Sequence, residues 1–356
     1  MNPCRLHLNI IARTTGRAIY VQPDGTLFLS RGMSILRSCE DGRSWSKLVE
    51  IPCSLRRRLA GGSRLASRLL RHEIRAFARM SDGTMIAATR QGVFFAGPHD
   101  SMMMPAKIDG GQQAPYPPMQ ITVGPDEQIL WGEYNSKTAH GNPVRLFVST
   151  DCGRSYSVAH TFEGGSILHI HNLLHDSARD CFWLFAGDHF HEPGIGRLSA
   201  DLKDFEWIAK GEQRFRAVDA FDFGDRLIYA MDSEREQNHL ISFDKASGRT
   251  ERLREFDGSC IYATRFGEYY ALTTTVEPSN VNHSRSARLW LSRDGEQWAE
   301  ALSAEKDLWH PVYFQFGSIV LPRGHSDRST VFFSGQAIRG WDGIAATAIL
   351  SDGGLC

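Results

Sequence analysis

Short apolar or alternating runs, each closed by a turn signal, make up most of the chain. The first group is residues 18–21, 26–29, 34–37 and 46–51, with Pro23, Asp24 and Gly25 in the first turn. Runs this short, rich in β-branched and aromatic residues and bounded by Gly, Pro, Asp and Ser, predict strands. The grouping returns over residues 74–96, 119–162, 167–207, 217–253, 261–298 and 312–349. Residues 6–11 form one more run, expected to pair with the last group and cover its sheet edge.

Residues 54–72 break the period. After Gly61 and Gly62, Leu65, Leu69 and Leu70 share a helical face, with Arg64, Arg68 and Arg71 around it. Ser63 stands where a cap is wanted. The expectation is a short basic helix inserted between the first two groups, with a weak contact to an anionic surface through the region from Arg56 to Arg71.

A polar corner recurs between the third and fourth runs of a group. Ser149, Asp151, Gly153 and Tyr156 mark it most clearly. Ser38, Glu40, Gly42 and Trp45 repeat the layout, and Ser292, Asp294, Gly295 and Trp298 repeat it one residue shorter. Looser copies start at Ser199 and Ser242. Glycine supplies the positive φ of the turn, and the short carboxylate accepts from turn amides. Recurrence at similar intervals implies a repeat architecture.

These corners resemble the Asp-box (BNR) repeat of sialidase-like β-propellers. The resemblance implies an all-β, seven-bladed propeller, or six blades plus closing strands, formed by residues 1–356 as a single domain with 54–72 as a helical insertion. It also implies that the corners lie on one face and are structural, and that a separate set of loops gathers at a central funnel on the other. The Arg-Ile-Pro motif of true sialidases is missing, so sialidase activity is not expected. The histidine- and arginine-rich loops are more similar to those of propeller polysaccharide lyases.

The loops so assigned carry the candidate chemistry. His169 and His171, at i and i+2 of an extended segment, point to one side. Two neutral imidazoles so placed can hold a divalent metal, with Asp188 or Glu133 completing the shell, or one can act as general base. Equally, they can line a wet channel. His189 and His191 follow Asp188 in one loop. Arg214 and Arg216 share a side if extended; their planar guanidiniums suit a carboxylate, or else pair with Asp188, Asp219 or Asp232. Glu133, Asp232 and Glu277 are acidic candidates, and a glycosidase needs two carboxyls. Tyr134 and Trp309, with Trp131 and Trp341, are candidates for packing against sugar rings, and His189, His191 and His310 are candidates for binding substrate.

The expected function is therefore a carbohydrate-active enzyme, hydrolase or lyase, acting on an acidic oligo- or polysaccharide. The alternative is a non-catalytic propeller that binds glycan or protein in polysaccharide assembly. A formal net charge of -1 removes the bulk case for nucleic acid. The seven scattered cysteines contain no CxxC pair and read as neither a disulfide framework nor a zinc site. No apolar run reaches membrane-spanning length, and no secretory leader is visible, so a cytoplasmic location is expected.

Overall fold

The computed structural model describes residues 6–55, 58, 61–109, 117–136 and 140–350. The chain divides into two compact units, one of residues 1–72, 234–239 and 253–356, the other of residues 73–233 and 240–252. Both are built of short antiparallel strands. No helix among the described residues is long and apolar enough to cross a membrane.

In the second unit, each group of apolar runs becomes a small sheet. Ala76–Arg79, Met85–Thr89, Gly92–Ala96 and Met104–Pro105 form one. Thr122–Val123, Ile129–Gly132, Val144–Ser149 and Ser155–Phe162 form the next, with Lys107–Ile108 added in parallel at its edge. A third consists of Ile170–Asp176, Cys181–Ala186, Gly194–Ser199 and Phe205–Lys210. Most of a fourth, Phe221–Phe223, Arg226–Ala230, Asn238–Asp244 and Thr250–Phe256, follows. The core lies between successive sheets: Leu130 and Leu146 of the second cluster with Ile170, Phe182 and Leu184 of the third. Trp183 and Phe185 pack with Tyr229 and Phe243 of the fourth. Trp131, a candidate for sugar stacking, is instead fully buried and stacks on Phe147 at 4.4 Å.

In the first unit, Leu8–Thr15 pairs with Ile344–Leu350, so the early run does share a sheet with the last group. Its other members are Val331–Gln336 and Ser318–Val320. The remaining nine strands form one sheet. At its middle, Arg323–Ser326 pairs in parallel with Arg17–Val21 on one side and with Cys260–Phe266 on the other.

The expected count of seven blades, with six as the alternative, is thereby corrected. The described strands make six hydrogen-bonded sheets; five have four or five strands and stand as separate blades, and the sixth has nine. The reason is Arg323–Ser326, a segment with no apolar alternation, which the sequence pattern leaves as a connection. Its backbone joins the groups at 17–50 and 260–305 into one ladder. The last group, expected over 312–349 to open on a strand, is also corrected at its start: Pro311–Phe314 is a helical turn with proline at its first position, where a fixed φ favours a helix start.

The corners form as their chemistry predicts. Ser38, Ser149 and Ser292 each accept, through Oγ, the backbone N–H of the corner glycine, at 3.0, 2.9 and 2.9 Å. Gly42, Gly153 and Gly295 have φ of 78°, 78° and 77°, values that disfavour a side chain. Asp151 and Asp294 accept turn amides. Trp45 and Trp298 each donate Nε1–H back to their glycine carbonyl at 2.9 Å.

The insertion contains the helix Arg64–Leu69, with the Ser63 hydroxyl accepting from Ala66 N–H. Arg56 and Arg57 lie outside the described residues. On this helix Arg68 is buried, and Leu69 and Leu70 are exposed. The described cysteines are free thiols.

Candidate metal centre

Three local features of the second unit bring His169, His171 and Asp188 together. Tyr134 and His169 form a β-bridge, and the Ile170 N–H donates to Glu133 O at 3.0 Å, which places the histidine segment alongside residues 133–135. The ladder with Cys181–Ala186 is irregular between Ile170 and Asn172, at His171. Past that strand, Gly187 takes φ of 82°, and Asp188 follows. A Cβ on Gly187 would lie 2.4 Å from the Glu192 backbone, so the turn requires glycine. Glu192 braces the turn by accepting from the amides of Asp188 and His189 at 3.3 and 3.1 Å.

The donor atoms then converge. His169 Nε2 lies 3.0 Å from His171 Nε2 and 3.2 Å from Asp188 Oδ1, and His171 Nε2 lies 3.0 Å from the same oxygen. His169 Nδ1 meets Asn135 O at 3.1 Å, and His171 Nδ1 meets Ala217 O at 2.7 Å. A carbonyl oxygen only accepts, so each Nδ1 carries a proton and each neutral ring presents a bare Nε2 lone pair. Ligands about 2.0–2.2 Å from one ion stand roughly 3.0–3.4 Å from each other, which matches this triangle. Backbone carbonyls that fix the outer nitrogen are the usual second layer of a histidine metal site.

Charged neighbours and burial both act on these groups. Burial pushes the His169 imidazole down. Burial works upward on Asp188, but the neighbouring His169 and Arg216 outweigh it and hold the carboxyl well below the usual range. Arg216 Nε lies 3.1 Å from Asp188 Oδ1, and its Nη2 lies 3.5 Å from Asp232 Oδ2. Two carboxylates, Asp188 and Asp232, and two guanidiniums, Arg216 and Arg75, surround Tyr134 and the histidine pair. Gln213 Nε2 donates to Asp188 O at 3.1 Å and is itself held by Ser233 at 2.9 Å. Half-buried Tyr134 stacks on His169 with centroids 3.8 Å apart, and burial pushes its phenol up.

The other candidates make other contacts. The Glu133 carboxylate turns away to a bidentate pair with Arg145, at 2.7 and 3.1 Å. Arg214 does not share a side with Arg216, because Gln213–Phe215 is a 3-10 turn; it pairs with Glu212 instead. His189 is half-buried, and exposed His191 bonds Gly211 O at 3.2 Å. Glu277, Trp309 and His310 belong to the first unit; Trp309 packs on Phe314 at 5.1 Å and His310 on Tyr313 at 5.3 Å. Sequence reasoning missed Arg75, whose guanidinium lies 4.2 Å over the Tyr134 ring. It also missed the two carbonyl locks, which no residue type announces.

Comparison with solved structures decides the architecture. The chain superposes on virginiamycin B lyase from Staphylococcus aureus with a TM-score of 0.61 at 14% identity, covering 97% of this chain and 100% of that one. The fold is a β-propeller. YCF48, solved bound to D1 peptide, matches with a TM-score of 0.58 at 11% identity over 100% of this chain and 99% of that one. The extracellular domain of BT4673 from B. thetaiotaomicron gives 0.55 at 10% identity, over 98% of this propeller and 42% of that chain. At these identities the likeness is one of fold alone. No protein-family model matches the sequence, and no curated protein matches it. The recurrent corner is therefore a property of the turns and does not establish membership of the BNR family.

Proposed function

We propose that this propeller is a metal-dependent enzyme, a lyase or a hydrolase, in which His169, His171 and Asp188 hold one divalent cation and the substrate is an acidic saccharide. One observation carries the reading: three acceptor atoms face each other at 3.0–3.2 Å while both outer imidazole nitrogens are committed to carbonyls. Three lone pairs at that range repel unless a cation or an added proton sits among them, and burial opposes the proton on His169. The ion would supply Lewis acidity toward a substrate oxygen.

The chain's own groups do the rest. Arg216 and Gln213 orient Asp188. Tyr134 keeps its proton at neutral pH, since burial raises its phenol, and is the donor candidate for a leaving group. Arg216 is engaged with Asp188 and Asp232, and Arg214 with Glu212, so the cation rather than an arginine pair would receive the substrate carboxylate. Virginiamycin B lyase shows by its name that this fold can carry a lyase.

A second reading has its own support. YCF48 has the same fold and is solved with a peptide, so a non-catalytic module that binds glycan or protein is the alternative. Metal-loaded protein incubated with uronic-acid oligosaccharides separates the two. An unsaturated, ultraviolet-absorbing product indicates a lyase, and new reducing ends without that absorbance indicate a hydrolase. Binding without turnover favours the module. Turnover that survives His169→Ala together with His171→Ala in a folded protein removes the proposed site.

A further inference from the structure

The helix Arg64–Leu69 in the first unit is clamped in place with its apolar side chains outward. Arg68 is 1% exposed, whereas Leu69 and Leu70 are 51% and 52% exposed. The Arg68 Nε–H donates to Phe314 O at 2.8 Å, and its Nη1 pairs with Asp307 and Asp342. Arg71 donates to Val312 O at 3.1 Å. Arg64 holds Asp342 through two bonds, at 2.8 and 3.2 Å. These contacts fix the helix against Pro311–Phe314, where Val312 and Tyr313 are 63% and 61% exposed. Leu308 and Trp309, just before it, are 88% and 47% exposed.

Six of the twelve exposed large hydrophobics among the described residues therefore sit on two segments joined by a buried arginine. Soluble monomers seldom hold a large apolar patch toward water unless something covers it. Around the patch the described cations outnumber the acids, with Arg64, Arg68, Arg71 and Lys306 against Asp307 and Asp342. Residues 54–72 contain six arginines and no acid, and residues 308–317 contain no acid. Asp307 and Asp342 are already paired with Arg64, Arg68 and Lys306. Leucine, valine, Trp and Tyr side chains flanked by arginine are the composition of a segment that lies in a bilayer interface. Its apolar part enters the acyl boundary, and its guanidiniums meet anionic headgroups.

The geometry points to peripheral docking of this chain on an anionic membrane surface through Leu69, Leu70, Leu308, Trp309, Val312 and Tyr313, with Arg64 and Arg71 beside them. This is independent of the proposed metal chemistry. The test is co-sedimentation of the full chain with vesicles of phosphatidylcholine plus phosphatidylglycerol, and with phosphatidylcholine alone. The full chain pellets with the anionic vesicles, at least roughly tenfold more weakly with the neutral ones, and is released by salt. The triple variant Leu308→Ser, Val312→Ser, Tyr313→Ser changes only exposed side chains, keeps its thermal midpoint, and loses binding by roughly tenfold or more. Met102→Ser with Met104→Ser, exposed elsewhere, binds as the unaltered chain does. Absence of binding to anionic vesicles, equal binding to both vesicles, or undiminished binding by the triple variant overturns the proposal. A soluble protein partner covering the patch would appear as the first of these.

Discussion

His169 Nε2 and His171 Nε2 face each other at 3.0 Å, and neither ring can turn its protonated nitrogen inward without giving up a bond to a carbonyl. Such a pair is stable around a cation or with an added proton. Burial opposes the proton on His169. The same opposition gives the metal-free protein a pH dependence. The folded pKa of His169 lies below its ordinary value of 6.5, so the unfolded chain takes up a proton first as pH falls. Stability is therefore at its full value above about 6.5 and declines below it, through the lowered folded pKa. The depressed carboxyl of Asp188 acts in the same direction at lower pH: its contribution is present above the ordinary carboxylate range and is lost as pH falls through and below it. Urea melts between about pH 7.5 and 5.5 should show this slope in the apo protein, and His169→Asn should flatten it. An unchanged slope in the variant contradicts the assignment.

The turn that carries Asp188 makes a separate prediction. Gly187→Ala forces a β-carbon to within 2.4 Å of the Glu192 backbone at a φ of 82°. The loop must shift, and Asp188 with it. Divalent-metal affinity should drop by at least about tenfold, while the global melting midpoint moves modestly, because the strain is local. Calorimetric titration of both proteins measures the first effect and thermal denaturation the second.

The histidine pair and Asp188 were legible because strand periodicity places i and i+2 on one side and the next strand ends nearby. Pairing of Arg216 with Asp188 and Asp232 was legible as one of two alternatives. Glu133 was misplaced because residue type does not say which neighbour claims a carboxylate; here Arg145, across the ladder, claims it with two bonds. The joining strand Arg323–Ser326 carries no apolar alternation, so only backbone pairing reveals it. The burial of Arg68 escaped for a related reason. A helical wheel cannot foresee Asp307, Asp342 and a backbone carbonyl gathered around an arginine.

A buried ion pair in the second unit bears on stability alone. Lys245 Nζ bonds Asp176 Oδ2 and Asp222 Oδ1, each at 2.6 Å, and Trp183 Nε1–H also donates to Asp176, at 3.0 Å. Lys245 and the Asp176 side chain are almost fully buried. Lys245→Met leaves Asp176 charged without its ammonium partner and should destabilise by about 3–5 kcal/mol. Burial works upward on Asp176, and bonds from Lys245 and Trp183 overcome it to leave the carboxyl below its ordinary value. This stabilisation is present above the ordinary carboxylate range and lost as pH falls through the lowered pKa. The deficit of the variant, read from denaturant melts, should therefore shrink on acidification.

The corner serine supplies a fourth test. Ser149 Oγ accepts the buried Gly153 N–H at 2.9 Å and donates to Asp151 at 2.8 Å. Ser149→Ala should cost about 1–2 kcal/mol, because the glycine amide loses its acceptor. Metal affinity should be unaffected, since the corner contributes no donor atom. A change in affinity as large as that of Gly187→Ala would contradict the structural role.

The most direct measurement is metal stoichiometry on purified protein after equilibration with a divalent transition metal and removal of the excess. The account predicts about one ion per chain, bound through two imidazoles and a carboxylate oxygen in the X-ray absorption spectrum. It also predicts loss of that ion when His169 and His171 are both replaced by alanine in a chain that still folds. A folded protein that retains no stoichiometric metal, or a double variant that retains as much as the unaltered chain, would contradict it.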